Sequence, residues 1–366
     1  MKTIKALILL LLVLASWAAR AADGAPLRIG VVGLTHTHVH GLLGREKLND
    51  IEIVGIVEKN KDLARRYTQQ HGLSMDIVFD TMEEMLDKTK PAAVAAFGSI
   101  YDHLAVVQVA APRGIHVMVE KPLAARLDQA RKMKALADQY HITLMVNYET
   151  TWYPTLYRAN DILRAGQIGE LRKVVVHDGH KGPKKIGVNQ EFLDWLADPV
   201  QNGGGAVTDF GCYGADLMTY LMQGQRPTSV TAVLQSFQKQ DYPKVDDEAT
   251  IILTYPGTQA VIQASWNWPI ARKDLEIYGV QGELMADSRN KLRARLSDTA
   301  EETTQVLPEL AYPNNDPFAY FKAVIEGRIK PDRYDPSSVD NNMIVMEILD
   351  AAIRSARQGK TIQLKP

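Results

Sequence analysis

The sequence predicts an α/β protein of two domains in series: a doubly wound parallel sheet, then an α+β domain with an open, mostly antiparallel sheet. Three observations carry this. Between residues 27 and 146, short continuous apolar runs alternate with helical patterns at the spacing of βαβ units. From about residue 173 the runs alternate apolar with polar residues, separated by turns such as Pro256-Gly257, as in an antiparallel sheet with one covered face. The 366 residues exceed one ordinary core and suit two. With 42 Lys plus Arg against 43 Asp plus Glu, the charge of −1 gives no electrostatic basis for binding nucleic acid or an anionic membrane.

The first residues differ from the rest. Met1-Lys2-Thr3-Ile4-Lys5 is basic, residues 6–17 are apolar, and Ala19-Arg20-Ala21 supplies small residues where a signal peptidase cuts. The apolar run falls short of the roughly 20 residues of a membrane span. Residues 1–22 therefore read as a secretory signal, with a periplasmic or secreted location and no membrane attachment after cleavage. The first domain is expected over 26–148 and the second over 149–366. The one cysteine, Cys212, sits in an apolar stretch and is expected to be buried and inert.

In order, the first domain reads as strand 27–33, helix 38–48, strand 51–58, helices 63–71 and 82–87, strand 92–97, helix 103–113, strand 116–119, helix 128–140 and strand 143–146. The second reads as helix 155–165, strands 173–177, 229–238, 248–255, 259–268, 275–280 and 291–296, and helices 317–326 and 337–357. The open sheet points to a homo-oligomer that covers it.

Gly33 ends the first strand and opens a helix, where a Rossmann dinucleotide fingerprint belongs. Only the first glycine of that fingerprint is present; Thr35 and His38 occupy the second and third positions. Glu58 ends the second strand 25 residues on, placed to bond the adenosine ribose, and a carboxylate there favours NAD over NADP. His36 and His38 are expected beside the cofactor phosphates, or simply packed. His36 and His40 would share a helix face, but no carboxylate or thiolate follows nearby, so no metal is expected.

His103 is followed seventeen positions later by Glu120-Lys121-Pro122, and Gly203-Gly204-Gly205 leads into Asp209-Phe210-Gly211-Cys212-Tyr213. These two motifs resemble the Gfo/Idh/MocA family, the relatives of glucose–fructose oxidoreductase and inositol dehydrogenase. The resemblance implies that Lys121 lies beside the nicotinamide and the substrate hydroxyl, with Tyr213 where most members have His. It implies cofactor contacts at Phe97, Ser99, His103, Glu120 and Asn147, and a sugar or glycoside pocket near Trp152, His180, Lys181 and Asp209. His177, Trp266 and Trp268 are further pocket residues, the tryptophans being equally suited to the sheet core. Ser99-Ile100 and Thr151 depart from the family's usual Pro-Asn and Arg.

Hydride leaves an alcohol carbon only as its hydroxyl proton is removed. A phenol beside an ammonium has a depressed pKa and can carry that proton, while Lys121 would stabilise the alkoxide. Asp209, one helical turn before Tyr213, would share its face and hold substrate hydroxyls or orient Lys121; it could also be a helix N-cap. Three functions remain open on the sequence: an oxidoreductase with tightly bound nucleotide, an NAD-dependent glycoside hydrolase or lyase using His180 or His177, and a binding protein. Under either enzyme reading, Lys121→Ala is expected to abolish turnover with stability nearly unchanged.

Overall fold

The computed structural model describes residues 24–45 and 48–364, so the leader read at residues 1–22 lies outside the described residues. The first sheet consists of β1 (Leu27–Val32), β2 (Ile51–Val57), β3 (Val78–Phe79), β4 (Ala93–Ala96), β5 (His116–Glu120) and β6 (Leu144–Asn147). All pairs are parallel, in the order β3-β2-β1-β4-β5-β6. The winding reverses between β1 and β4, which opens a crevice at the carboxyl ends of those strands. The strands are continuous apolar runs because helices cover both faces; every residue of β4 is buried. The flanking helices are α1 (Val39–Leu43), α2 (Lys61–His71), α3 (Met82–Thr89), α4 (His103–Ala110) and α5 (Leu127–Tyr140). α1 is far shorter than the 38–48 expected: it ends at Gly44, whose N–H bonds back to the His40 carbonyl, while the Arg45 N–H bonds the Leu42 carbonyl.

After α6 (Pro154–Arg164), the second sheet contains β7 (Leu171–Gly179), β8 (Ser229–Gln235), β9 (Glu248–Thr254), β10 (Gln259–Ser265), β11 (Arg272–Gly279), β12 (Glu283–Ala286), β13 (Lys291–Arg295), β14 (Thr303–Val306) and β15 (Ile362–Gln363). Its order is β14-β13-β12-β11-β7-β10-β9-β8-β15; β7 and β10 are parallel and the other pairs antiparallel. Alternation sets the two faces: Ala249, Ile251 and Leu253 of β9 are buried, and the residues between them are not. The inner face packs under α10 (Gly211–Leu221) and α12 (Val339–Gln358). Seven short helices and strands were not anticipated: α7 (Pro183–Ile186), α8 (Gln190–Leu196), α9 (Ala206–Asp209) and the strands β3, β12, β14 and β15, each too short to establish a period.

The C-terminal part returns to the first domain. α11 (Pro317–Ile325) inserts Phe318 and Phe321 into the core that holds Ile29 and Leu42. Arg45, itself buried, binds Asp50 at 2.6 Å and Asp316, the N-cap of α11, at 2.5 Å.

α9 is placed by close backbone contact. The Ala206 N–H donates to the Asp246 carbonyl at 3.0 Å, and a Cβ on Gly205 would lie 1.7 Å from that oxygen. Gly205→Ala is therefore expected to cost about 3 kcal/mol, read as a lowered urea midpoint with the slope unchanged.

Candidate active site

A cleft of about 550 Å³ lies over the switch point. Gly33, Thr35, Glu58, Ser99 and His103 line it from the first domain; Glu191, Asp194, Trp195 and Gln201 line it from the second. Gly33 has φ 78°, and a Cβ there would lie 2.6 Å from the Gly98 nitrogen, so this position requires glycine. Thr35, at the second glycine position, accepts the Trp195 indole N–H at 3.0 Å. Glu58 accepts the backbone N–H of Leu34 at 2.9 Å and of Asn60 at 2.8 Å, which fixes its carboxylate against the turn. Ser99 donates to Asp102 at 2.7 Å. Burial pushes the fully buried His103 imidazole down to about 4, so it is neutral. Its Nδ1 bonds the Leu123 carbonyl at 3.1 Å, while its Nε2 is buried with no partner. Buried polar atoms are normally satisfied, so an unpaired acceptor on the wall of this cleft suits a ligand donor such as a ribose hydroxyl.

Three expected cofactor contacts are differently placed. Phe97 is a core residue whose ring faces Phe318; only its carbonyl meets the turn, accepting the His36 N–H at 2.8 Å. His36 is 2% exposed beneath Phe192 and Trp195. His38 turns to Glu120 instead of the cleft, with Nδ1 2.9 Å from Oε2. His40 bonds His71 at 2.8 Å, away from this group. The ground for excluding a metal, that no carboxylate accompanies these histidines, does not hold: Glu120 lies 3.8 Å from His36 Nε2 as well. However, His36 Nδ1 accepts the His38 backbone N–H at 3.2 Å, which puts the neutral ring's proton on Nε2, facing Glu120. Burial pulls His36 down to about 3. Burial also raises Glu120, but His38, His36 and the Asn147 amide outweigh it and hold the carboxylate at about 2.

The two motifs meet between the domains. Lys121 Nζ is 2.5 Å from Asp209 Oδ1 and 3.0 Å from the Asp209 carbonyl, and both residues are 6% exposed. Burial disfavours both charges, but the pairing overrides it, raising the lysine above its usual value and lowering the aspartate below its own. Trp266, fully buried, donates to Asp209 Oδ2 at 3.0 Å, so it serves as an orienter of the site. Asp209 is neither an N-cap nor on one helix with Tyr213: it ends α9, and α10 begins at Gly211. Tyr213 is 2% exposed, with Lys121 Nζ 5.1 Å and Lys273 Nζ 4.3 Å from its ring centroid. Its phenol is not activated as expected: burial, then the charges of Glu149 and Asp178, push it well above its usual value. Cys212 is fully buried, and burial holds it as the thiol.

The expected substrate residues divide. His180 stays near the site, its ring 4.9 Å from Phe210, with Nδ1 accepting the Gly182 N–H at 3.0 Å. Trp152 is core: it bonds Asn147 at 3.3 Å and packs on Tyr320. Lys181 is exposed and forms no ion pair among the described residues. His177 points to the opposite face of β7 from the buried Val176 and bonds Asp274 and Arg272, each at 3.1 Å. Sequence reasoning missed Trp195, Asp178 and Lys273. For Trp195 a signal existed: Asn189 caps α8 through Phe192 at 2.7 Å, a cap pattern readable in the sequence.

Residues 27–148 match the oxidoreductase family with an NAD-binding Rossmann fold, and residues 156–285 match the GFO/IDH/MocA C-terminal domain. The chain belongs to the Gfo/Idh/MocA family. It is 26% identical to trans-1,2-dihydrobenzene-1,2-diol dehydrogenase of Xenopus tropicalis, over 65% of this chain and 68% of that one. It is 25% identical to D-xylose 1-dehydrogenase [NADP(+)] of Haloarcula marismortui, over 74% and 75%. The fold is shared with aldose-aldose oxidoreductase from Caulobacter crescentus (TM-score 0.78, 21% identity, 93% of this chain and 100% of that one). It is shared as well with an inositol dehydrogenase homolog from Azotobacter vinelandii (TM-score 0.77, 18% identity, 93% and 98%).

The Lys121–Asp209 pair overturns the expectation that Lys121→Ala leaves stability unchanged. Removing one partner strands a buried charge, so Lys121→Met is expected to cost about 3 kcal/mol. Adding Asp209→Leu is expected to restore most of the loss, as measured by chemical denaturation of the single and double variants.

Proposed function

We propose that the chain, as a Gfo/Idh/MocA member, is an exported NAD-dependent oxidoreductase acting on a hydroxyl-bearing carbon of a sugar, polyol or glycoside. Its nucleotide is held tightly between the two domains. The observation that carries this reading is the buried Lys121 ammonium, which follows β5 of the first domain and is fixed by Asp209 of the second. A bound nicotinamide would supply the hydride acceptor. Lys121 offers a preorganised positive charge to the oxygen that becomes negative as hydride departs.

Cofactor choice follows from the cleft's charge. Glu58, Asp80, Glu83, Asp102, Glu191 and Asp194 line it against one lysine, Lys59, an unfavourable setting for a 2′-phosphate. Retention follows from residues 189–201, which bind the first domain at four points. Asn189 donates to the Tyr67 hydroxyl at 2.5 Å, Glu191 binds Arg66 at 2.6 Å, Trp195 donates to Thr35 at 3.0 Å, and the Tyr101 N–H donates to the Gln201 carbonyl at 2.9 Å. The pocket's charges pair off, Lys121 with Asp209 and Lys273 with Glu149, which favours a neutral polyhydroxyl substrate. The basic, apolar and small-residue start supports export. The outer sheet face, where Val233 is 59% exposed, supports a homo-oligomer. The hydrolase or lyase reading called on His177 or His180; the first lies on the outer face, and the second has its accepting nitrogen occupied.

Mass spectrometry of the small molecule released on denaturation tests this. Near-stoichiometric NAD(H) is expected; an empty protein that also fails to take up NAD overturns the reading. Trp195→Ala is expected to speed nucleotide release by about tenfold or more, equivalent to about 1.4 kcal/mol, as followed by displacement of a fluorescent analogue.

A further inference from the structure

Asp178 is a buried ionisable group beside the catalytic pair that the chemistry above leaves unused. It ends the inward row Val174, Val176, Asp178 on β7, is 2% exposed, and neither of its carboxyl oxygens has a hydrogen-bond partner among the described residues. Native interiors leave such groups unpaired where water or a ligand completes them. It lines a cavity of about 30 Å³, room for one water-sized group, together with Thr150, Tyr153 and Lys273. The Thr150 hydroxyl is likewise buried and unpaired. Lys273 Nζ, from β11, stands 4.0 Å from Asp178 Oδ1 and is bound by Glu149 at 2.7 Å. That ammonium lies 4.3 Å from the Tyr213 ring centroid, and Lys121 reaches the same ring at 5.1 Å. Asp178 is thus on the side of β7 that faces the catalytic pair.

Of the other titratable groups lining that cavity, His177 and Asp274 bond each other at 3.1 Å, while the polar groups beside the catalytic pair cannot take a proton near neutrality. Lys121 is held as the ammonium, Asp209 is held as a paired carboxylate, and Tyr213 is held as the phenol. His180 uses Nδ1 to accept from Gly182, so the neutral ring's proton is on Nε2. Asp178 differs from all four. Burial raises it to about 8; Lys273 and Lys121 pull it down, while Asp209 and Glu149 push it up. A general base works best when its pKa lies near the operating pH.

We propose that Asp178 is the acid–base residue that takes the proton released by the substrate hydroxyl. This rests on the reading that a hydroxyl-bearing carbon is oxidised here. The carbinol C–H bond breaks and its electron pair leaves as hydride to the oxidised nicotinamide. The O–H bond breaks, its electrons complete the C=O bond, and the proton forms a new O–H bond on Asp178. In the reverse direction Asp178 gives that proton back. The carboxylate is the active form for oxidation, so oxidation rises as pH passes through about 8, and reduction falls.

The test compares wild type with Asp178→Asn and Asp178→Glu. Infrared difference spectra between roughly pH 6 and roughly pH 10 read the carboxyl directly, without turnover. A protonated carboxyl that disappears across this range is expected in the wild type and absent in Asp178→Asn. The pH profile of the oxidation kcat then reads the role. Asp178→Asn is expected to lose about 100-fold in kcat and the alkaline rise, with KM moving far less. Asp178→Glu is expected to keep the rise. The Asn variant should melt no lower than wild type near neutral pH, since it replaces a carboxyl that burial already keeps protonated with a neutral amide of similar shape. A carboxyl already ionised at neutral pH, or an Asn variant with unchanged kcat and pH profile, overturns the proposal. A titrating carboxyl in a protein that neither binds NAD nor oxidises any sugar counts against both the function and this role. Turnover without that titration counts against Asp178 alone.

Discussion

The ion pair between Lys121 and Asp209 joins the two domains. Removing two charges from water costs several kcal/mol each, and a buried pair is tolerated only when its geometry is tight and its remaining hydrogen-bonding capacity is used. Here that condition is met. Asp209 gives one oxygen and its own carbonyl to Lys121, and its second oxygen accepts the Trp266 indole. The surrounding backbone serves the same end. Gly203 takes φ 86° with no room for a Cβ beside the Ala125 carbonyl, and Gly205 runs against Asp246, so the glycine run brings α9 up to the segment after β5. Asp246 receives the N–H groups of Gly205 and Val207 at 2.9 and 2.7 Å, which anchors the approach from the other side.

The nucleotide cleft follows the same logic of closure by the second domain. In the fingerprint the second glycine normally keeps side chains away from the pyrophosphate. Here Thr35 stands in that place, and its hydroxyl is bound to Trp195 from α8, so the missing glycine reflects a contact between domains. Next to it, His38 and Asn147 both bond Glu120, and Trp152 bonds Asn147, forming a chain that runs from the partly exposed His38 of the fingerprint turn to the buried end of β6. Such a chain fixes the carboxylate beside Lys121 in one position, as expected of a polar network whose members are satisfied.

What could be read in advance was whatever depends on neighbours along the chain. Five of the six parallel strands, the covered and alternating strands, Gly33 at the turn and Glu58 at the end of β2 all follow from local period and spacing, while β3 and the strand order do not. The resemblance carried by two motifs 88 residues apart brought Lys121 and Asp209 to one site, with orientation of Lys121 as one of the roles left open for Asp209; the structure makes them an ion pair. Residues placed by nearness in sequence fared worse. Trp152 and Phe97 flank site residues yet turn into the core, because a one-residue step reverses a side chain's direction on a strand and a short 3₁₀ turn redirects it again.

By itself the sequence determined the family, the two sheets and the residues that gather at the site, since these rest on periodicity and on residue types in two motifs at fixed separations. Only the tertiary structure decided the protonation states. Tyr213 is raised where the sequence implied it would be lowered, and Asp178 emerges as a buried acid without a hydrogen-bond partner among the described residues. The physical reason is that an ionisation energy depends on how much water a group has lost and which charges surround it, and both are set by chain segments remote in sequence.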